Sequence, residues 1–450
     1  MSFLDHLPNE LLAQIALELH PADLINLVST SKHVREASTP ALKVFRNTGK
    51  DWESMNTKCF TESKLSISNV LTDSLLRPHV GFFVQVLWLQ KWAPADKESY
   101  KAYHGRYVGL FQSAYRDTRL SERSVCNTEA HSESWVDGIE SGDETFVIAI
   151  LLLYLPNLSL LKWHVTDDAD EWHDSTKLLT LIRSLKDSHG AMLLPKLREV
   201  YLIGGRLERD SIGDNLPPEY IPTFMSFPSV QSLKIYGFES NAPKGAMSKL
   251  ERSNLSTLKI TGQLYENHGS YDWMEQILIA TPALKTLTLK AVTRGDEMLG
   301  IVSMLLVRHV QHTLEELTFA SYSHFSVGGL GNLSELTRLR YLRTEFVGMG
   351  ERWLDPDPCI SHLLPVSIEH LELYDNDIWH PGLCLTCMLD LVGKKSIFPN
   401  LTRVALYMNT LYQNREHLGA GVKELIAKGH AADISVRVET VDDGAIIPCC

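Results

Sequence analysis

The chain has 450 residues, 44% of them hydrophobic and 22% charged, which is ordinary for a globular protein with more than one domain. Its 43 basic and 55 acidic residues give a formal net charge of −12, which argues against nucleic acid as the main ligand. No apolar run could span a bilayer, no secretory signal is visible, and seven cysteines over this length indicate a reducing compartment. We therefore expect residence in the cytoplasm, the nucleus or both, and no membrane partner.

Residues 4–40 predict three short helices. Pro8 suits the first position of the first helix, where its fixed φ is already helical, and Pro21 separates this helix from the second. Ser31 is an N-cap candidate for the third helix. Helices of this size bury too little surface to be stable alone, so a partner or the rest of the chain must cover the excess. Apolar side chains recur at helical spacing on the first two helices: Leu11, Leu12, Ile15, Ala16, Leu19, Leu24, Leu27 and Val28.

A set of residues in this stretch has the order and spacing of a known family. The matching positions are Leu7, Pro8, Glu10, Leu11, Ile15, Leu19, Asp23, Leu24, Leu27, Ser31, Lys32 and Arg35. They resemble an F-box, and the resemblance covers residues 1–46. It implies that the helices bind the Skp-type adaptor of a cullin-RING ubiquitin ligase through these apolar residues, with Asp23, Ser31 and Arg35 fixing caps and orientation. The alternative is a helical hairpin that packs against the C-terminal part of its own chain.

Most of the remaining chain repeats one short frame, which consists of an apolar residue, two spacers, an apolar residue, one spacer and an apolar residue. Each copy predicts a strand, and a last strand is expected around Val436 and Val438. The copies begin at Val84, Leu158, Leu197, Val230, Leu255, Leu284, Leu314, Leu339, Ile368 and Leu401. Amphipathic segments of helical length lie between copies, at 145–154, 177–186, 273–279, 297–309 and 383–391.

Strands that alternate with helices, in units that cannot bury their apolar faces alone, predict an α/β solenoid. The frame resembles the leucine-rich repeat, in a divergent form without the usual ladder asparagine. The expected fold is therefore α/β, with a three-helix F-box at 1–46, a linker or connecting helices at 47–79, an irregular leucine-rich-repeat-like solenoid at 80–440 and a flexible tail at 441–450. The alternative is a doubly wound α/β domain, but the dense glycine cluster at 328–331 follows no strand–turn–helix phosphate signature.

In such a repeat the spacer residues of each strand point away from the core, because side chains alternate across a strand. Aromatic and cationic residues recur there and mark a candidate substrate-binding face: Trp88, Lys162, Tyr201, Lys234, Tyr236, Lys259, Arg343 and Tyr374. We hypothesise that this face binds an acidic or phosphorylated segment of a target protein, since Lys and Arg pair with carboxylate and phosphate. The alternative is a solvated face whose lysines only keep the sheet soluble.

Other chemistry has little support in the sequence. No motif of a nucleophilic, metal-dependent or phosphate-binding active site is present, so neither an enzyme nor a cofactor is expected. The acidic segment at 121–144 is expected to be a solvated loop, with a contact for a basic partner as the alternative. Zinc-like spacings occur among Cys359, His362, His380, Cys384 and Cys387. Cys384 and Cys387 fall on a predicted amphipathic helix, which favours core packing.

The two resemblances together imply the substrate-receptor subunit of an SCF-type ubiquitin ligase. Its expected partners are the Skp-type adaptor, a cullin reached through that adaptor, and an unknown protein target. Such a subunit positions its target for ubiquitin transfer and needs no catalytic residue of its own. One alternative is an interaction scaffold that binds the adaptor without directing ubiquitination. Another is a hydrolase or transferase on an α/β fold, which a deep pocket with perturbed titratable groups would support.

Overall fold

The computed structural model shows a mixed α/β protein with two compact units, Met1–Ile203 and Gly204–Cys450. Helices and strands alternate along most of the chain, as the sequence predicts. The structure describes residues 3–19, 21–47, 67–76, 79–89, 97–117, 129–165, 175–204, 216, 218–239, 250–264, 272–293, 298–321, 331–345, 360–375, 382–409 and 416–441.

The first unit is mostly helical. Its α-helices are α1 (Asn9–Glu18), α2 (Pro21–Val28), α3 (Lys32–Ala37), α4 (39–47), α5 (Ile67–Leu76), α6 (His79–Phe83), α7 (Lys97–Asp117), α8 (Glu129–Ser141), α9 (Glu144–Leu153) and α10 (Ser175–His189). Its strands are β1 (Val86–Leu89), β2 (Leu160–Val165) and β3 (Glu199–Gly204). Short 3-10 turns occupy Phe3–His6 and Gly190–Met192.

Helix α9 forms the centre of this unit. Asp143 accepts a hydrogen bond from the Thr145 N–H (2.9 Å) and so caps the N-terminus of α9. The helix is apolar on all sides, and it packs against α5, α7, α8 and α10, as expected for a fully buried helix. Trp135 of α8 contacts Phe146 of α9, with 5.1 Å between ring centroids.

The acidic segment at 121–144 is not the solvated loop that the sequence predicts, because much of it forms α8. Trp135 and Ile139 are buried in this helix, and Trp135 also stacks on Tyr115 of α7 with 5.1 Å between ring centroids. In the sequence, the many charged residues of α8 obscure the helical spacing of Trp135 and Ile139. Residues 118–128 lie outside the described part of the chain.

The second unit alternates strands and helices. Its strands are β4 (Ser232–Glu239), β5 (Thr257–Leu264), β6 (Thr286–Thr293), β7 (Glu316–Ser321), β8 (Tyr341–Glu345), β9 (His370–Asp375), β10 (Arg403–Asn409) and β11 (Ser435–Val441). Its α-helices are α11 (Tyr220–Met225), α12 (Asp272–Ala280), α13 (Met298–Val310), α14 (Leu383–Gly393) and α15 (Glu416–Ala431). A 3-10 turn occupies Ile360–His362.

In each unit the strands pair in parallel and in chain order. A doubly wound domain reverses its strand order at a switch point, so this order excludes that alternative. One hydrogen-bond arrangement repeats where the strands begin. The Lys285 carbonyl accepts from the N–H groups of Glu315 (2.8 Å) and Glu316 (2.9 Å), and the Glu315 carbonyl accepts in the same way from Arg340 and Tyr341. These bonds fix each strand in register with the next.

The repeated frame of the sequence forms the core. In the copy of the frame that forms β6 and the residues just before it, Leu284, Leu287 and Leu289 are all buried. Leu287 lies in register with Leu258 on one side and Leu317 on the other, so equivalent residues stack from strand to strand. Every strand expected from the frame is present in the structure, and the five predicted helical segments correspond to α9, α10, α12, α13 and α14.

A buried histidine makes the stability of the first unit depend on pH. His104 of α7 packs its ring against Phe111, and its Nε2 contacts the Ile139 carbonyl of α8. Burial lowers the pKa of His104 below its ordinary value of 6.5, although the hydrogen bond to Ile139 acts in the opposite direction. The unfolded chain therefore takes up this proton more readily, and the stabilisation present above pH 6.5 is lost as the pH falls below it.

We predict that acidification from neutral pH to pH 5.5 destabilises the wild type more than His104→Gln, by up to about 1.4 kcal/mol for each pH unit below the unfolded pKa. Urea unfolding at several pH values measures this difference. The control His6→Gln removes an exposed histidine from the same unit and should keep the wild-type pH dependence. An identical loss in wild type and His104→Gln would contradict the assignment.

Candidate functional site

The N-terminal helices have a small core of their own. Leu12 packs with Val34 and Ala37, and Leu4, Leu7 and Leu27 cover this cluster. A second cluster joins α1 and α2 to α4. Its buried members are Ala16, Leu24, Ala41 and Phe45, with Leu19, Leu27, Val28, Leu42 and Phe83 packed against them. The arrangement of α1 to α4 is therefore fixed by side chains that face inward.

Polar contacts fix the turns between these helices. The Ser31 hydroxyl accepts a hydrogen bond from the Val34 N–H (3.2 Å), so Ser31 is the N-cap of α3, as expected. The Arg35 Nε donates to the Val28 carbonyl at the end of α2 (3.2 Å). Pro8 is the N-cap of α1, which begins at Asn9, and is not the first helical residue that the sequence predicts. Asp23 is exposed in the first turn of α2.

Large apolar side chains on these helices remain exposed. Leu11 and Ile15 lie one turn apart on α1, while their neighbours Leu12 and Ala16 are buried. The exposed apolar set consists of residues with 40% to 58% of their surface accessible, namely Leu11, Ile15, Leu17, Ile25 and Val44. The helices thus bury one part of their apolar surface and leave another part uncovered.

The predicted adaptor contacts fall into three groups. Leu11, Ile15, Pro8, Asp23 and Arg35 are exposed, and a partner could reach them directly. Leu7, Leu19, Leu27 and Ser31 are half-buried, and Leu24 is almost completely buried, so these five residues make contacts within the helical unit. Sequence reasoning did not single out Leu17, Ile25 and Val44. The only feature of the sequence that marks these three residues is that each is apolar and adjacent to a core residue.

The outward positions of β1 to β3 bring three predicted residues together. Trp88 of β1 lies in register with Lys162 of β2. The Lys162 ammonium lies 5.2 Å from the ring centroid of Trp88 and 5.2 Å from that of Tyr201. Cation–π attraction of this kind holds a lysine between two aromatic rings.

A second group lies on β4 and β5. Lys234 and Lys259 are partners in the register of these two strands. The Lys259 ammonium lies 4.9 Å from the ring centroid of Tyr236, which is on the neighbouring strand. Both lysines are half-buried, so their charges lie close to the sheet surface.

A third group lies on β8 to β10, where the charges are paired. The Arg343 guanidinium lies 4.9 Å from the ring centroid of Tyr374 and donates to its hydroxyl. Its Nε is 3.6 Å from a carboxylate oxygen of Glu372, and both side chains are largely buried. Tyr374 stacks on Tyr407 with 4.4 Å between ring centroids. Burial raises the pKa of Tyr374 to about 12, although Arg343 acts in the opposite direction.

The cysteines that were weighed as zinc ligands lie in the core. Cys384 and Cys387 are buried on α14 beside Leu391, which agrees with the packing role. Within the described ranges, no group of three or more His, Cys, Asp or Glu residues could bind a metal ion. His362 is exposed, whereas Cys359 and His380 lie outside those ranges.

The first unit contains a cavity of about 230 Å³. It is lined mainly by apolar residues from the ends of α9 and α10, at 152–156 and 192–195, and its titratable side chains are Tyr154 and His189. The lining contains no carboxylate, serine, cysteine or lysine. This cavity therefore lacks the nucleophile and carboxylate that a hydrolase or transferase site would need.

Comparisons with known proteins do not assign a family. No protein-family model matches the chain, and no curated protein matches it. Among the helices whose residues the structure describes, none has the length and apolar character needed to cross a membrane.

We predict that the Arg343–Glu372 pair stabilises the second unit. Arg343→Met should lower its free energy of unfolding by about 1–3 kcal/mol, because Glu372 then keeps a largely buried charge without its cation. Urea denaturation followed by tryptophan fluorescence measures the change. Arg437→Met is the matched control, since Arg437 also pairs with a glutamate but is exposed, and we expect the same midpoint as for the wild type. Equal losses in the two variants would contradict the role of Arg343.

Proposed function

We propose that this chain is the substrate-receptor subunit of an SCF-type ubiquitin ligase. Its F-box helices would bind the Skp-type adaptor, and its leucine-rich-repeat-like solenoid would hold a target protein. One observation carries the proposal. The exposed apolar set lies on helices that already have a core, so these side chains are free to contact another protein. Exposed apolar groups in one small unit are typical of an interaction site.

Covering this surface would contribute to binding. Burial of a fully exposed leucine or isoleucine side chain contributes about 1.5–3 kcal/mol. Leu11, Ile15 and Ile25 are 40% to 58% exposed, so covering each would contribute roughly half of that amount. Ser31 and Arg35 already fix the turns between the helices. A partner therefore binds a preorganised surface and does not have to order these segments, which reduces the entropic cost of association.

The strand order supports the solenoid part of the proposal. Within each unit, each strand pairs with the next one in the chain, and equivalent N–H groups donate to equivalent carbonyl groups at successive strands. This is the arrangement expected of stacked repeats, in which each repeat contacts its neighbours. Side chains at the outward positions would then hold the target, and a high local concentration near the ubiquitin-conjugating enzyme would drive transfer.

We predict that Leu11→Asp combined with Ile15→Asp abolishes binding to the Skp-type adaptor. Both side chains are exposed, so the fold should tolerate aspartate, whereas burial of two carboxylates at an apolar interface is costly. Co-purification and calorimetry measure binding, and circular dichroism checks the fold. Ile426→Asp is the matched control, because Ile426 is equally exposed on α15. Recovery of the adaptor with the double variant at the wild-type level would contradict the proposal.

Ubiquitin transfer separates the receptor from a scaffold. Proteins captured by the chain are added to the reconstituted ligase, and their modification is followed with the wild type and with the Leu11→Asp, Ile15→Asp variant. A receptor gives ubiquitination that depends on the wild-type helices. Adaptor binding without modification of any captured protein would favour the scaffold.

A further inference from the structure

Strand β11 lies at an edge of the sheet. Within the described ranges it pairs with β10 and with no other strand. The pairing with β10 is unbroken, with seven consecutive partners and no register shift. Edge strands are usually protected from pairing with another chain by proline, lysine, a bulge or a covering segment. The stretch Ser435–Val441 contains no proline, lysine or bulge, so its open side can accept another strand.

The core beside this edge is only partly covered. Val436 and Val438 occupy the inward positions of β11 and are half-buried. Their register partners on β10, Val404 and Leu406, are completely buried. The strand that follows β10 covers its inward side chains, whereas those of β11 remain partly exposed. A further strand on the open side would cover them.

The backbone of β11 presents hydrogen-bonding groups on this open side. The Ser435 N–H donates to the carbonyl of Thr402, the residue before β10 (2.9 Å). Backbone groups alternate between the two sides of a strand, so Ser435 and every second residue after it point their N–H and C=O groups toward β10. The residues between them, Val436, Val438 and Thr440, point theirs toward the open side.

The sequence of β11 is complementary to itself in the antiparallel direction. Two copies related by a twofold axis would pair these edges antiparallel. With the axis at Val438, the central residue of β11, the free backbone groups meet, because Val438 faces its own equivalent and Val436 faces Thr440 of the second copy. Arg437 then lies directly opposite Glu439 of the second copy. Such non-hydrogen-bonded positions bring side chains closest, and opposite charges there stabilise the pairing.

Charge favours this register over its neighbours. An axis at Arg437 would place two arginines opposite each other, and an axis at Glu439 would do the same with two glutamates. Like charges in directly opposite positions destabilise a sheet. Within one copy, Arg437 already forms an exposed ion pair with Glu439 of its own strand. In the pairing centred on Val438, each arginine would lie between two glutamates.

We propose that two copies of this chain associate through their β11 strands, antiparallel and with Val438 on the twofold axis. This inference goes beyond the proposed function and does not depend on it. The paired strands would be about 24 Å long and share about six backbone hydrogen bonds. Interfaces of this small size are weak, so we expect a dissociation constant on the order of 10 µM.

Sedimentation equilibrium of the full chain, from about 1 to 300 µM, measures this association. Arg437→Glu should weaken it about tenfold, because glutamates then lie opposite glutamates. Glu439→Arg should weaken it by a similar factor, because arginines then lie opposite arginines. An equimolar mixture of the two variants should form heterodimers within about threefold of the wild-type dissociation constant, since every glutamate again faces an arginine.

Arg403→Glu is the matched control. Arg403 is exposed on β10, where it is the register partner of Ser435, so this variant makes the same change in charge one strand away from the open side. It should leave the dissociation constant within about twofold of the wild type. Circular dichroism checks the fold of each variant.

Three results would overturn the inference. The first is a chain that stays monomeric at every concentration, which is also the result expected if other residues of the chain or a different protein cover this edge. The second is an equal loss of association in Arg403→Glu. The third is a mixture of Arg437→Glu and Glu439→Arg that associates no better than either variant alone.

The N-terminal variant separates this inference from the proposed function. Leu11→Asp with Ile15→Asp should associate like the wild type, and Arg437→Glu should bind the adaptor like the wild type. The unfolding experiments with Arg437→Met use the chain at about 1 µM, where the monomer predominates, so self-association does not change their expected outcome.

Discussion

The register between neighbouring parallel strands is the constraint on which the sheet regions of this chain depend. A carbonyl just before one strand accepts two N–H groups from the next, so successive strands start at the same level. The frame leucines then stack on one face, as Leu258, Leu287 and Leu317 do. Because those side chains supply the core, the alternate positions are not needed for packing and can carry charge.

The N-terminal helices divide their apolar side chains between a buried set and an exposed set. On α1 and α2, adjacent apolar residues differ in burial: Leu24 is buried, whereas Ile25 is exposed. The inward side chains and the contacts of Ser31 and Arg35 hold the helices together, and the outward apolar side chains remain exposed.

Much of this architecture could be read from the sequence, because the period of the apolar frame is local. Every strand that the structure describes follows from that frame, and five of the helices follow from apolar residues at helical spacing. The frame could not show which charges neutralise each other, since Arg343 and Glu372 meet only through strand pairing. Nor could it show α8, whose Trp135 becomes a core residue only by contact with Tyr115 and Phe146. Helical spacing likewise predicts one role for Leu11 and Leu24, an apolar contact with the adaptor. Only the packing of the helices decides that Leu24 is buried and that Leu11 is exposed.

The central claim is that another protein covers the side chains that the N-terminal helices leave exposed. Hydrogen–deuterium exchange of the chain, with and without the Skp-type adaptor, tests it most directly. We expect slower amide exchange in peptides from α1 and α2 when the adaptor is present, and unchanged exchange in strands β4 to β11. Unchanged exchange in α1 and α2, or protection confined to the strands, would contradict it.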